Sequence, residues 1–98
     1  MPTKKISFKI SGKVQGVFFR KYTKKKADLL NIQGWCQNTS DKKSVIGEAQ
    51  GELEQILKFE KYLREEGSPK SRIDGAVIKE IEKLERYDSL VGGFSVVR

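Results

Sequence analysis

Ala76-Val77-Ile78-Lys79-Glu80-Ile81-Glu82-Lys83-Leu84 is the stretch on which the fold turns. Val77, Ile78, Ile81 and Leu84 suit helical spacing at least as well as strand alternation, so local pattern leaves its state open. Its neighbours are plainer. Upstream, Leu53, Ile56, Leu57, Phe59, Tyr62 and Leu63 recur at helical spacing among acids and lysines, and Gly67-Ser68-Pro69 ends that helix. Downstream, Phe94-Ser95-Val96-Val97 is short, β-branched and preceded by Gly92-Gly93, as a terminal strand is.

Further back, Gln33 to Thr39 and Val45 to Gln50 read as two strands joined through the polar cluster Ser40-Asp41-Lys42-Lys43-Ser44. At the start of the chain Ile6, Phe8 and Ile10 alternate with Ser7, Lys9 and Ser11, the period of a strand with one buried and one wet face. Between that strand and Gln33 lies a loop with two glycines, Gly12 and Gly16. It leads into a lysine-rich helix expected from about Arg20 to Leu30, with Tyr22, Ala27 and Leu30 as inward contacts.

Reading 76–84 as a strand gives the order strand, helix, strand, strand, helix, strand. This is the split βαβ arrangement of a ferredoxin-like α/β sandwich, an antiparallel sheet with two helices on one face and a short extra C-terminal strand. Right-handed crossovers put strands one and two parallel, on either side of strand three. The loop after strand one and the end of strand two then emerge at the same edge, which brings Arg20 and Asn38 within reach of each other.

The chain has 98 residues, of which 37% are hydrophobic and 34% charged, so one core and one domain over residues 1–98 are expected. Lysine and arginine outnumber acids 20 to 13, and the resulting charge of +7 favours anionic ligands without choosing among phosphorylated metabolites, nucleic acid and acidic protein. The run Arg20 to Lys26 concentrates that charge, though such a run often forms a solvated helix face. One cysteine and no histidine exclude an internal disulfide framework and give no basis for a metal cluster. Met1-Pro2-Thr3-Lys4-Lys5-Ile6 lacks the apolar stretch of a secretory signal, and no window is apolar enough to cross a bilayer. A cytoplasmic protein is expected, and without heptads a monomer.

A segment that leaves a strand through Gly12 and Gly16 and enters a helix near Arg20 presents unpaired N–H groups and the positive end of a helix dipole, which suits phosphate. Arg20 adds a planar fork for two phosphate oxygens. On spacing alone, a plain turn with a surface arginine is an equal reading.

The stretch Gly12-Lys13-Val14-Gln15-Gly16-Val17-Phe18-Phe19-Arg20 resembles the signature loop of the acylphosphatases. Gly34-Trp35-Cys36-Gln37-Asn38-Thr39, with Val45, Gly47 and Glu48-Ala49-Gln50-Gly51, resembles the family's second signature, and Gly67-Ser68-Pro69 with Ser71-Arg72-Ile73-Asp74 its later connection. The resemblance runs over essentially the whole chain, in order. It implies the ferredoxin-like fold and a phosphate site made of the backbone donors of Gln15, Gly16, Val17, Phe18, Phe19 and Arg20 with the Arg20 guanidinium. It further implies that Asn38 positions the nucleophilic water. The chain departs from the family at Ser40-Asp41-Lys42-Lys43, where a glycine usually makes the turn and where this connection is one residue longer. The hairpin's shape and the pose of Asn38 therefore rest with the structure. Cys36, with no histidine to activate it, reads as a small core residue.

The implied reaction is hydrolysis of the carboxyl-phosphate anhydride bond of small acyl phosphates, without cofactor or metal, with inorganic phosphate as product and inhibitor. It suits a chain without histidine, because the leaving carboxylate is a stable anion near neutral pH and needs no protein acid. The alternative is a non-catalytic phosphate- or RNA-binding module on the same fold. Nucleic acid is the weaker partner, since the wet row Ser7, Lys9 and Ser11 offers no aromatic stacking platform.

Overall fold

The computed structural model describes residues 2–84 and 93–97. Its elements are β1 (Thr3–Lys13), α1 (Phe19–Leu29), β2 (Gln33–Asn38), β3 (Ser44–Glu52), α2 (Leu53–Lys61), β4 (Arg72–Glu80) and β5 (Phe94–Val97). A π-helical turn, Tyr62–Glu66, extends α2 and closes with the Gly67 N–H on the Tyr62 carbonyl at 3.0 Å. The sheet order is β4-β1-β3-β2-β5, so β1 and β2 flank β3 as the crossover rule requires. The fold is the ferredoxin-like α+β sandwich.

The undecided stretch is a strand, displaced toward the N-terminus: β4 starts at Arg72 and stops at Glu80. It pairs antiparallel with β1, Phe8 opposite Ile78 and Ile10 opposite Ala76. Pairing along β1 satisfies its backbone groups, an outcome invisible to a reading of side-chain spacing alone. A second difference concerns direction. β5 lies parallel to β2, Cys36 beside Val96, so the sheet is mixed rather than wholly antiparallel.

Both helices cover one face, because the inward row of β1, Ile6, Phe8 and Ile10, shares one core with Phe19 and Ala27 of α1 and Ile56 and Phe59 of α2. Phe59 sits edge-on to Phe8 and to Phe94, with centroids 6.0 and 5.8 Å away, which ties α2 to the centre and to the outer strand of the sheet. The inward face of α1 differs from expectation. It is Phe19, Thr23 and Ala27, spaced by four, while Tyr22 lies one position off that stripe and is 38% exposed, with Lys25 Nζ over its ring. Leu30 packs partly against the core, as expected.

Candidate active site

The path of the chain out of β1 is set by backbone constraints. Register shifts between Ser11 and Gly12, and Gly12 takes φ 129° with its N–H donating to the Lys43 carbonyl at 3.2 Å. A Cβ at Gly12 would stand 2.2 Å from the Arg72 carbonyl oxygen, so no other residue fits. Val14 and Val17 then turn inward and anchor the loop in the core. Gly16 (φ 74°) and Phe18 (φ 59°) both adopt left-handed conformations. For Phe18 this is uncommon, and sparsely populated backbone states of this kind concentrate at functional sites.

As a result the loop meets α1 with its donors unspent. Among the described residues, no backbone N–H from Gly16 to Arg20 donates to an acceptor. Phe18 supplies no side-chain cap and the first turn carries no acid, so the positive end of the helix is left for an anion. The loop is braced from behind. Ser68 Oγ donates to the Val17 carbonyl at 2.8 Å, and Ser68 is itself fixed by Ser71, whose N–H and hydroxyl both donate to its carbonyl. Sequence reading gave Ser68 no role, since its partner lies 51 positions away and a buried serine leaves no periodic signal.

Asn38 reaches the same region from the sheet. Ile10, Val45 and Asn38 are consecutive partners across β1, β3 and β2, so their side chains share a face. Ile10 and Val45 belong to the core beneath the helices, which puts the Asn38 amide on the helix side at the end of the strand. Its Oδ1 is buried and meets no donor among the described residues. An unmet buried acceptor costs about 1–3 kcal/mol, a cost that a donor from outside the chain would offset.

The glycine-free connection after Asn38 closes by different means. Lys42 takes the left-handed position, φ 64°, and its N–H donates to the Thr39 carbonyl at 3.2 Å. Asp41 accepts from the Thr39 hydroxyl at 2.5 Å and from the Lys43 N–H at 3.0 Å, bonds that hold its carboxyl below the usual range. Thr39 N–H donates to the Ser44 carbonyl at 3.0 Å. The longer turn thus leaves the end of β2 paired. Gln15 crosses from the loop to this hairpin, its Nε2 donating to the Ser44 carbonyl at 2.8 Å and the Thr39 carbonyl at 3.2 Å.

A cleft of about 930 Å³ opens between α1 and β5, lined by Gln15, Gly16, Phe18, Phe19 and Arg20, with Lys21, Lys24, Phe94 and Val96 among its further walls. Five of the six residues expected to hold phosphate line it. Val17 does not, because its side chain is inward. Asn38 is not on the cleft wall either; it stands one residue before Thr39, at the end where Gln15 closes the gap between loop and hairpin. Arg20 acts electrostatically on this part of β2: burial pushes the Cys36 thiol up to about 12 against the pull of the Arg20 guanidinium.

The acylphosphatase family model matches residues 6–96. The chain belongs to the acylphosphatase family. It is 45% identical over 86 residues to acylphosphatase-1 of Gallus gallus, an alignment covering 85% of this chain and 86% of that protein. It is 41% identical over 87 residues to acylphosphatase-2 of Bos taurus, covering 86% and 87%. The structure of an acylphosphatase from Coxiella burnetii superposes with a TM-score of 0.84 at 35% identity, covering 98% of this chain and 94% of that one.

As an acylphosphatase the chain is an enzyme that hydrolyses acyl phosphates, and a small-molecule acyl phosphate is its substrate. In this acylphosphatase Cys36 is fully buried and protonated across the neutral range, which fits a core residue rather than a nucleophile. No helix among the described residues is long and apolar enough to cross a membrane.

Proposed function

We propose that this acylphosphatase binds the phosphoryl group of its substrate with the N–H groups of Gln15 to Arg20 and the Arg20 guanidinium, and that Asn38 orients the attacking water. The observation that carries this reading is the buried, unmet Oδ1 of Asn38, set beside a loop whose donors are also unspent. The two needs are complementary. A phosphate satisfies the donors, and a water lying between phosphorus and Asn38 donates one proton to Oδ1.

The chemistry follows from these positions. Water oxygen attacks phosphorus as the bond from phosphorus to the acyl oxygen breaks, and the carboxylate departs with the electron pair. A phosphate oxygen of the substrate accepts the water proton, since an asparagine amide cannot. Catalysis is then positioning plus preorganised electrostatics, with no acid required for a leaving group of ordinary carboxyl pKa. On this reading the reaction needs no metal, inorganic phosphate is both product and inhibitor, and the protein works as a cytoplasmic monomer folded as one domain over residues 1–98.

A non-catalytic module that binds RNA has no observation in its favour. Ser7, Glu48 and Trp35 lie side by side across the face away from the helices, and Trp35 is buried with its Nε1 donating to Glu48 at 2.8 Å, so that row displays no aromatic platform.

The test is phosphate release from an aryl acyl phosphate without added metal, with inorganic phosphate as competitor. Arg20→Lys should lose phosphate inhibition, because a point charge does not reproduce a bidentate grip. Asn38→Ala should keep phosphate inhibition while turnover falls by about 10²- to 10³-fold, the scale of losing one preorganised group. Turnover unchanged in Asn38→Ala, or phosphate inhibition unchanged in Arg20→Lys, ends the assignment.

A further inference from the structure

The side chain of Gln15 spends both hydrogens of its amide on the far hairpin, one on the Thr39 carbonyl and one on the Ser44 carbonyl. Each of those carbonyls already accepts a second bond within the turn, from Lys42 N–H and Thr39 N–H respectively. Gln15 therefore adds nothing that the hairpin needs to close. What it adds is a connection between two elements that carry different halves of the site. Thr39 directly follows Asn38, and Gln15 directly precedes the left-handed Gly16 that opens the cradle.

The loop also meets the hairpin at its start, where Gly12 N–H donates to the Lys43 carbonyl and the Ser11 and Ser44 hydroxyls pair at 2.9 Å, and past that point the two halves are fixed by separate means. The cradle is held by Ser68 on the Val17 carbonyl and by Val14 and Val17 in the core. Asn38 faces Val45 at the end of the β2–β3 ladder, and beyond it the hairpin is held by Thr39 N–H on the Ser44 carbonyl. Strand ends are where pairing frays first, and the turn beyond this one is exposed at residues 40–43.

We propose that Gln15 is a positioning residue that clamps the end of β2 to the phosphate loop, fixing the distance between bound phosphate and the water held by Asn38. The inference rests on the roles proposed above for the loop and Asn38. It predicts a division of effects that loss of general stability does not produce: substrate chemistry suffers while phosphate binding is spared.

Gln15→Met keeps the length of the side chain and removes both donors. Turnover of an aryl acyl phosphate should fall by about 10²-fold, the scale of a misplacement near 1 Å, with the inhibition constant of inorganic phosphate unchanged within about twofold. In an Asn38→Ala background the same substitution should cost less than about threefold, because the group it positions is gone. An equal penalty in both backgrounds, wild-type turnover in Gln15→Met, or phosphate inhibition weakening in step with turnover overturns the clamp and leaves the Asn38 assignment standing. Undiminished turnover in Asn38→Ala overturns the assignment and the clamp together.

A measurement on the unmodified protein stands beside these variants in case Gln15→Met does not fold. Both amide hydrogens of Gln15 should exchange with solvent at least about tenfold more slowly than those of Gln55, whose side chain makes no hydrogen bond among the described residues. Equal exchange at the two glutamines refutes the clamp.

Discussion

Ser68 Oγ donates to the carbonyl of Val17 across a separation of 51 positions, joining the turn after α2 to the centre of the loop that opens α1. The contact is dry: Ser68 is 2% exposed. One hydroxyl thereby fixes the orientation of a peptide unit whose neighbours Gly16 and Phe18 line the cleft.

Ser68→Ala leaves that carbonyl buried and unpaired, and should cost about 1–3 kcal/mol of stability in chemical denaturation. The inhibition constant for inorganic phosphate should also rise severalfold. Stability lost with phosphate affinity intact would show that the brace supports the fold but not the cradle.

Lys42 holds a left-handed conformation, φ 64°, of the kind that favours glycine. An L-residue is disfavoured there by about 1–2 kcal/mol, so Lys42→Gly should stabilise the protein by roughly 1 kcal/mol after the entropy of glycine is counted. Lys42→Val should destabilise it. Denaturation midpoints of the three proteins decide the matter, and glycine no better than lysine contradicts it.

Asp41 gives the hairpin a dependence on acid. Hydrogen bonds from Thr39 and Lys43 lower its pKa in the folded protein beneath 3.8, so its contribution is complete above that value and disappears as pH falls through the depressed one. The gap in thermal midpoint between wild type and Asp41→Ala should therefore be constant near neutrality and shrink in acid. A gap that widens toward low pH is incompatible with this linkage.

Among the described residues, two buried acids bear on the alkaline side. Burial raises Cys36 from 9.0 to about 12 and Tyr62 from 10.0 to about 12, the latter despite its hydrogen bond with Thr23. For an acid with a raised folded pKa the unfolded chain releases its proton first. Stability should thus be full below pH 9 and decline between about 9 and 12. Tyr62→Phe and Cys36→Ala should each flatten that decline, measured as unfolding free energy against pH; slopes identical to wild type would place the alkaline loss elsewhere.

Much of this protein was legible in the order of its residues. The alternation of Ile6, Phe8 and Ile10 marked β1 and its buried face, and the helical spacing from Ile56 to Leu63 marked α2, because burial on one side imposes a period that survives in sequence. The glycines at 12 and 16 announced a loop of special backbone, whereas the resemblance to the acylphosphatases, not spacing, singled out Arg20 for phosphate and Asn38 for water. Tyr22 was misplaced because helical spacing alone admits two adjacent stripes, and only the sheet decides which one is covered.

Tertiary structure alone decided the rest. The strand state of 72–80 depends on an open edge of β1, the parallel placement of β5 on the free side of β2, and the roles of Ser68 and Gln15 on carbonyls far away in the chain. Periodicity records which side of an element is buried, and composition records what a loop tolerates. Neither records which distant backbone group a polar side chain will find, since that partner exists only once the sheet has set its register.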